Sequence, residues 1–320
     1  MDTFDKTISQ LTIPTPFAVG DTHAYLLKGD LLTLIDAGVN TKQAKEALVS
    51  QLSEIGYNVS DIEQIVLTHH HPDHTGLIEA FPRLKYITAH PDVDLWLSRN
   101  QSFFERSKLF FKSLYCQTGI ASEYHYAISE FTSDLHYAGK GRLTNPIGEG
   151  DSLPGHPGWE VIGTYGHAQT HLSFLRTKDR SFIGGDHLLK HISPSITIEA
   201  PAKEGAIRPK PMLQYRESLM KCLSLDLKTV LPGHGEIFTN ANEIIHKRMV
   251  SQERRSSRVY RLLQTKSLTP FGICKQLFPR YFEKRINLTM SETIGQLDYL
   301  EEKGLVDYMI EDGVMNYYAK

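Results

Sequence analysis

Cysteine is scarce in this chain, no long apolar run occurs, and no charge of one sign dominates; each shortage narrows what the protein does. The three cysteines, Cys116, Cys222 and Cys274, are odd in number, far apart and without a Cys-x-x-Cys pair, which argues against a disulfide framework and for a reducing compartment. No segment approaches the roughly 18 consecutive apolar residues of a membrane span. The start, Met-Asp-Thr-Phe-Asp-Lys, is acidic where a secretory signal is basic, so a cytoplasmic protein with no membrane partner is expected. A formal net charge of -2 leaves no global field to attract nucleic acid or anionic lipid. There is also no convincing internal repeat or low-complexity run.

What is present is an ordinary globular composition, 40% hydrophobic and 22% charged over 320 residues, enough for one large domain or a large and a small one. Alternating residues on either side of Lys28-Gly29-Asp30 predict a hairpin ending at Asp36. Ala44, Ala47, Leu48, Leu52 and Ile55 recur at helical spacing before Gly56. Ile65-Val66-Leu67 and Tyr86-Ile87-Thr88-Ala89 read as strands, and the alternation of strands and helices implies sheets faced by helices.

Between strand and strand lies Thr68-His69-His70-His71-Pro72-Asp73-His74-Thr75-Gly76, where His69, His71, Asp73 and His74 crowd four metal-binding side chains into one loop. Pro72 and Gly76 predict a loop rather than a regular element. His69 and His71, two apart in an extended stretch, can face one side, whereas Asp73 and His74 follow the proline bend and can face a second ion. Three more candidates end later strand patterns: His167 after Trp159-Glu-Val-Ile-Gly163, Asp186 after Ser181-Phe-Ile-Gly-Gly185, and His234 after Val230-Leu-Pro-Gly233. Imidazole and carboxylate suit zinc, iron or manganese, and seven such groups are enough for two ions. A lone histidine is most often a surface or packed residue; the constellation is what carries the reading.

In these residues the chain resembles the metallo-β-lactamase superfamily of hydrolases. His69, His71, Asp73 and His74 match its first motif, His167 the second histidine motif, Asp186 the aspartate after Gly-Gly, and His234 the final Gly-His, over roughly the first three quarters of the sequence. The resemblance implies an α/β fold, a four-layer αββα sandwich. It also implies two divalent ions, zinc first: one on His69, His71 and His167, the other on Asp73, His74 and His234, with Asp186 bridging. Asp36 matches the aspartate behind the site and is expected to support ligands, as is His187 beside Asp186. Water activated between two ions is the expected nucleophile, with Asp73 relaying a proton as the catalytic residue.

The sequence departs from the usual pattern in three places. Gly166-His-Ala-Gln-Thr-His171 stands where Gly-His-Thr-Pro-Gly-His is common, His23 replaces a common asparagine, and Asp186 is followed by His187-Leu-Leu189 rather than by the tyrosine of lactone-cleaving members. His70 should point away from its neighbours, and His171 and His191 are expected to be structural.

A mostly helical insertion, about 91–150, carries Phe103, Phe104, Phe110, Phe111, Tyr115, Tyr124 and Tyr126. Aromatics at helical spacing read first as core and second as the wall of an acyl pocket. The catalytic domain is expected over 1–241 and a small winged-helix-like domain over 242–320. Its helices precede a hairpin around Glu311-Asp312-Gly313.

The first functional reading is a dinuclear hydrolase acting on a small-molecule thioester or ester. The alternatives are a single-strand ribonuclease or phosphodiesterase, using Lys247, Arg248, Arg254, Arg255, Arg258 and Arg261, and a non-catalytic metal-binding or regulatory protein. Against nucleic acid stand Glu292, Asp298, Glu301 and Glu302 on the presumed recognition helix, so the tail is expected to serve packing or homodimerisation.

Overall fold

A computed structural model describes residues 3–320; Met1 and Asp2, part of the amino-terminal stretch read above for its charge, lie outside it. The chain opens with strands β1 (Thr3–Asp5), β2 (Ile8–Ile13), β3 (Thr22–Lys28) and β4 (Leu32–Ile35), the last two forming the expected hairpin. Helix α1 (Lys42–Glu54) follows, its first turn held by the Thr41 hydroxyl accepting from the Ala44 N–H at 3.1 Å. Strand β5 (Gln64–Val66) runs into the histidine loop, and then come α2 (Pro72–Thr75), β6 (Tyr86–Ala89), α3 (Val93–Leu97), α4 (Gln101–Gln117), a 3-10 run over Ser122–Tyr137, and β7 (Asn145–Pro146). The second half supplies β8 (Trp159–Gly163), β9 (Leu172–Arg176), β10 (Ser181–Gly185), α5 (Pro211–Ser224) and β11 (Thr229–Pro232).

These strands make a seven-stranded sheet in the order β1 to β7 and a four-stranded sheet in the order β11-β10-β9-β8. Pairing is antiparallel from β1 to β4 and parallel from β4 to β7. Side-chain alternation explains why the strands read as continuous apolar runs. Along β3, Ala24 and Leu26 face α1, while Tyr25 and Leu27 face the second sheet. Along β10 and β11, Ile183 and Leu231 meet that central layer, while Phe182 and Val230 face α5. The result is helix, sheet, sheet, helix, as expected.

The tail comprises α6 (Ala241–Leu263), α7 (Pro270–Leu277), α8 (Ile286–Glu302) and the hairpin β12 (Val306–Glu311) and β13 (Val314–Ala319). It does not stand apart from the sandwich. Met290 and Ile294 of α8 share a core with Leu114 and Tyr115 of α4, and the buried Asp298 takes both guanidinium nitrogens of Arg208, at 2.8 and 2.5 Å.

Acidic residues of α8 are engaged within the fold. Asp298 is 1% exposed, Glu292 pairs with Arg255, and Glu301 accepts from the Tyr317 hydroxyl at 2.6 Å. A buried carboxylate needs a partner, so these acids seat the helix rather than repel a ligand. Among the described residues no helix is long and apolar enough to cross a membrane.

Candidate metal centre

Every predicted ligand hangs from the carboxyl end of a strand, where the backbone leaves the sheet and a side chain is free to face the cleft. Thr68 to His71 leave β5, His167 lies in the loop after β8, Asp186 directly follows β10, and His234 stands two residues beyond β11. One expectation needs correcting. Pro72 does not hold a loop open; it occupies the first position of the helical turn α2, where its fixed φ suits the helix and its missing N–H goes unused. The turn swings Asp73 and His74 toward His234, with the His74 ring still 4.2 Å from that of His69.

The side chains converge in three overlapping groups: His69, His71 and His167; His69, His74 and Asp186; Asp73, His74 and His234. Within each group the donor atoms lie within 4.8 Å of one another. His69 Nε2 and His167 Nε2 are each 3.0 Å from His71 Nδ1. Asp186 lies between the outer groups, 3.5 Å from the Nε2 of His74, His167 and His234. Asp73 Oδ2 is 3.3 Å from His234 Nε2 and 3.9 Å from His74 Nε2.

The backs of the rings are tied down, which orients their free nitrogens. Asp36 is 2% exposed; its carboxylate accepts from the Thr68 N–H at 2.8 Å, the Thr68 hydroxyl at 2.8 Å and His74 Nδ1 at 2.7 Å. Because the Thr68 hydroxyl spends its one proton on Asp36, it can only accept from His69 Nδ1 at 2.9 Å. Both His69 and His74 therefore turn their Nε2 toward the cluster. His167 Nδ1 donates to the Ser195 carbonyl at 2.7 Å and His234 Nδ1 to the Asp21 carbonyl at 2.8 Å, with the same consequence. Asp36 itself sits at φ +61°, a left-handed conformation that aspartate tolerates better than most residues.

Charge follows this geometry. Burial alone would push His74 and His234 down, but Asp36, Asp186 and Asp73 outweigh it at His74, and Asp186 and Asp73 raise His234 to about 10. Burial opposes the ionisation of Asp186, yet His234 and His74 hold its carboxyl well below the usual range; Asp73 is lowered by the same two rings. His69 and His71 are kept neutral by burial and by neighbouring imidazoles. His74 Nε2, His234 Nε2 and Asp186 Oδ1 are buried without a hydrogen-bond partner, an arrangement costing about 1–3 kcal/mol per group. A divalent cation satisfies all three, so the donor set fits the metal that its chemistry implies.

Two supporting residues escaped the sequence reading. His171 Nε2 accepts from the Asp186 N–H at 3.0 Å while Nδ1 meets the Thr164 hydroxyl at 2.8 Å, so a histidine expected to be structural positions Asp186 in the cluster. Its signal was its place four residues after His167. Thr68, the relay between Asp36 and His69, had no signal beyond opening the loop. Gly233 has a steric reason: a Cβ there would lie 2.2 Å from Asp186 Oδ1.

His187 departs from expectation. Its ring is fully buried, packs 5.1 Å from the Tyr215 ring and makes no hydrogen bond to the cluster, because the turn after Asp186 carries it into the β10–α5 layer. His70 does turn away from its neighbours, bonding the Thr170 hydroxyl at 2.9 Å and stacking on Trp96 at 4.1 Å. His23 bonds the Gly235 carbonyl at 2.7 Å, bracing the loop after His234. His191 pairs with Glu236 at the surface.

Beside the cluster opens a cavity of about 300 Å³. His70, His71 and Pro72 form its metal-side wall, Phe103, Phe111 and Leu114 another, and Met290 and Ile294 a third. The insertion's aromatics thus fill both expected roles: Phe104 packs against Trp96 and Phe103, while Phe103 and Phe111 line the cavity.

Four layers around a buried cluster of histidines and aspartates define a metallo-hydrolase. The family model described as "Metallo-beta-lactamase superfamily" matches residues 18–234, and the chain belongs to that superfamily. A Bacillus subtilis (strain 168) protein described as "Probable metallo-hydrolase YqjP" is 43% identical over 291 residues, 91% of each chain. An "Atrochrysone carboxyl ACP thioesterase" of Aspergillus fumigatus is 23% identical over 260 residues, 78% of this chain and 62% of that one. Among solved structures, the metallo-beta-lactamase family protein TTHA1429 from Thermus thermophilus superposes with a TM-score of 0.82 at 24% identity, over 99% of this chain and 100% of that one. A beta-lactamase domain protein from Burkholderia ambifaria gives 0.79 at 19%, over 100% and 94%. Likeness at these identities is one of fold, and its span takes in the tail.

Proposed function

We propose that this protein is a dinuclear metal-dependent hydrolase of small-molecule thioesters or esters. The observation that carries this reading is the apolar cavity whose wall includes His70 and His71 of the metal loop itself, so that a bond presented at the cluster has room behind it for an apolar acyl group. The thioesterase named among the relatives adds support.

His69, His71 and His167 would hold one ion and Asp73, His74 and His234 the other, with Asp186 shared. Zinc suits this set first, iron and manganese next. Bound there, such ions supply Lewis acidity and water activated at neutral pH. The chain's residues do the rest. Asp36 and Thr68 keep the His69 and His74 rings aimed at the cluster. Asp73, 7% exposed and ionised, accepts the proton of the attacking water and returns it to the leaving thiolate or alkoxide, as water adds to the carbonyl carbon and the acyl–sulfur or acyl–oxygen bond breaks.

The nucleic-acid reading finds few free cations on α6. Arg248 donates to the Leu189 and Ile192 carbonyls, Arg255 pairs with Glu292, Arg258 reaches the Gln276 carbonyl, and Lys247 pairs with Glu243. The test is a panel of thioesters, esters, lactones and labelled RNA, run on chelator-stripped and zinc-reloaded protein. Thioester or ester cleavage that disappears with the metal and returns with it is expected; RNA cleavage that collapses with salt, or full activity after stripping, refutes the reading.

A further inference from the structure

The cavity beside the cluster is assembled from separated stretches of chain: the His70–Pro72 part of the metal loop, Trp96 of α3, α4 with the 3-10 run after it, residues 197–200, and the first turns of α8. Its apolar lining is expected of any pocket. More telling is the state of its polar residues, because several of them already bond the protein. The Ser107 hydroxyl donates to the Phe103 carbonyl at 2.8 Å and that of Thr118 to the Leu114 carbonyl at 2.7 Å, each folding back on its own helix. Ser291 accepts from the Ile198 N–H at 3.1 Å, Asn287 takes the Tyr115 hydroxyl and donates to the Ala127 carbonyl, and Glu199 accepts from the Gln169 N–H at 2.9 Å. Groups bonded in this way have less to offer an occupant, and most of the lining is hydrocarbon.

One wall differs. His70, His71 and Pro72 belong to the metal loop, so this wall borders the cluster while most of the remaining lining is apolar. The cavity's volume of about 300 Å³ suits a chain of intermediate length, too large for an acetyl group alone.

From this juxtaposition we infer that the cavity is an acyl chamber: α4 and α8 hold an apolar acyl chain of medium length, with its carbonyl at the metal cluster. This rests on the proposed hydrolase function and gives it a substrate class. It also gives the tail a task, because Met290 and Ile294 make α8 a wall of the substrate site. Burying one more methylene is worth about 0.8 kcal/mol, roughly fourfold in affinity, until the chamber is full.

The experiment has a binding arm and a turnover arm. Trp96 lines the chamber, and the second tryptophan, Trp159, lies in β8, so a Trp159→Phe protein reports on the chamber through Trp96 fluorescence. The probes are acetate, hexanoate, octanoate and decanoate, followed by thioesters of the same acids on one thiol. Saturable binding that tightens roughly fourfold per methylene, with acetate silent, is expected. Leu288→Glu places a carboxylate on the α8 wall at a residue already 39% exposed, so folding should survive, and it should cut decanoate affinity at least tenfold. Phe111→Ala enlarges the chamber and should shift the preferred chain to a longer one.

Equal affinity for acetate and decanoate, or an affinity that ignores both substitutions, overturns the chamber whatever the enzyme cleaves. Chain-length-dependent binding without thioester or ester turnover by the zinc-loaded protein keeps the chamber and refutes the hydrolase reading. Turnover indifferent to chain length, with no carboxylate binding, does the reverse.

Discussion

Replacing Asp36 with asparagine should loosen the histidine–aspartate cluster from a position outside the three groups of candidate ligands. Asparagine keeps the size of aspartate and tolerates the left-handed backbone at φ +61°, so the substitution changes little besides the hydrogen bonding. Asp36 now accepts three hydrogen bonds, two from Thr68 and one from His74. An amide has one accepting oxygen. If that oxygen keeps the Thr68 N–H, the NH2 faces His74 Nδ1 and the Thr68 hydroxyl, forcing the His74 proton toward Nε2 and disturbing the relay to His69. If it keeps His74, the NH2 confronts the Thr68 N–H. The first orientation loses two charge-assisted bonds and the second loses one, each worth about 1.5–3 kcal/mol. The loss of about 1.5–6 kcal/mol lowers Tm by roughly 2–10 °C in a chain of this size. Loss of ligand orientation costs about 10- to 100-fold in metal affinity. Chelator-competition titration with zinc and thermal melts measure both. A variant whose zinc affinity stays within twofold of the parent, at unchanged Tm, would show that Asp36 does not set the ligand tautomers.

Four further expectations follow from the same geometry. Asp73→Ala should reduce turnover roughly a hundred- to ten-thousand-fold while circular dichroism shows the fold intact, and wild-type turnover would remove Asp73 from the proton path. His171→Ala leaves the Asp186 N–H unmatched and opens a buried space, so stability should fall by about 2–4 kcal/mol in urea melts, together with weaker zinc retention; a neutral result contradicts its positioning role. Arg208→Met strands the Asp298 carboxylate beneath α8 and should destabilise by about 3–5 kcal/mol, an effect absent from the double variant Arg208→Met with Asp298→Leu. The metal-free protein should be most stable near the ordinary histidine pKa of about 6.5. His234, raised to about 10, stabilises the fold fully below about 6.5 and loses that contribution as pH climbs toward 10. His70 and His187, held down to about 3 by burial, act oppositely and cost stability as pH falls from about 6.5 toward 3. Melts in chelator should therefore peak between the two limbs, and saturating zinc should flatten the alkaline one by taking the place of the His234 proton; a monotonic profile would contradict the assignment.

The strands, α1 and the ligand set were legible because each is a local pattern. Alternation marks a strand, a 3.6 period marks a helix, and a ligand at a strand end needs only a short loop to reach the cleft. Pro72 misled because the same residue closes a loop or opens a helix, and the choice depends on what the following turn packs against. Thr68 and His171 were hidden for a different reason: hydroxyl-to-imidazole relays depend on which atom faces which, and composition does not carry direction.

From its sequence alone this protein is determined to be a four-layer sandwich with a metal-binding cluster of histidines and aspartates. Tertiary structure decided the rest. The cavity beside the cluster joins residues such as Tyr115 and Asn287, 172 positions apart, and contacts of that kind leave no period or spacing in the chain. Asp298 reads in the sequence as surface charge and serves in the fold as an anchor, since only the fold brings Arg208 beneath it.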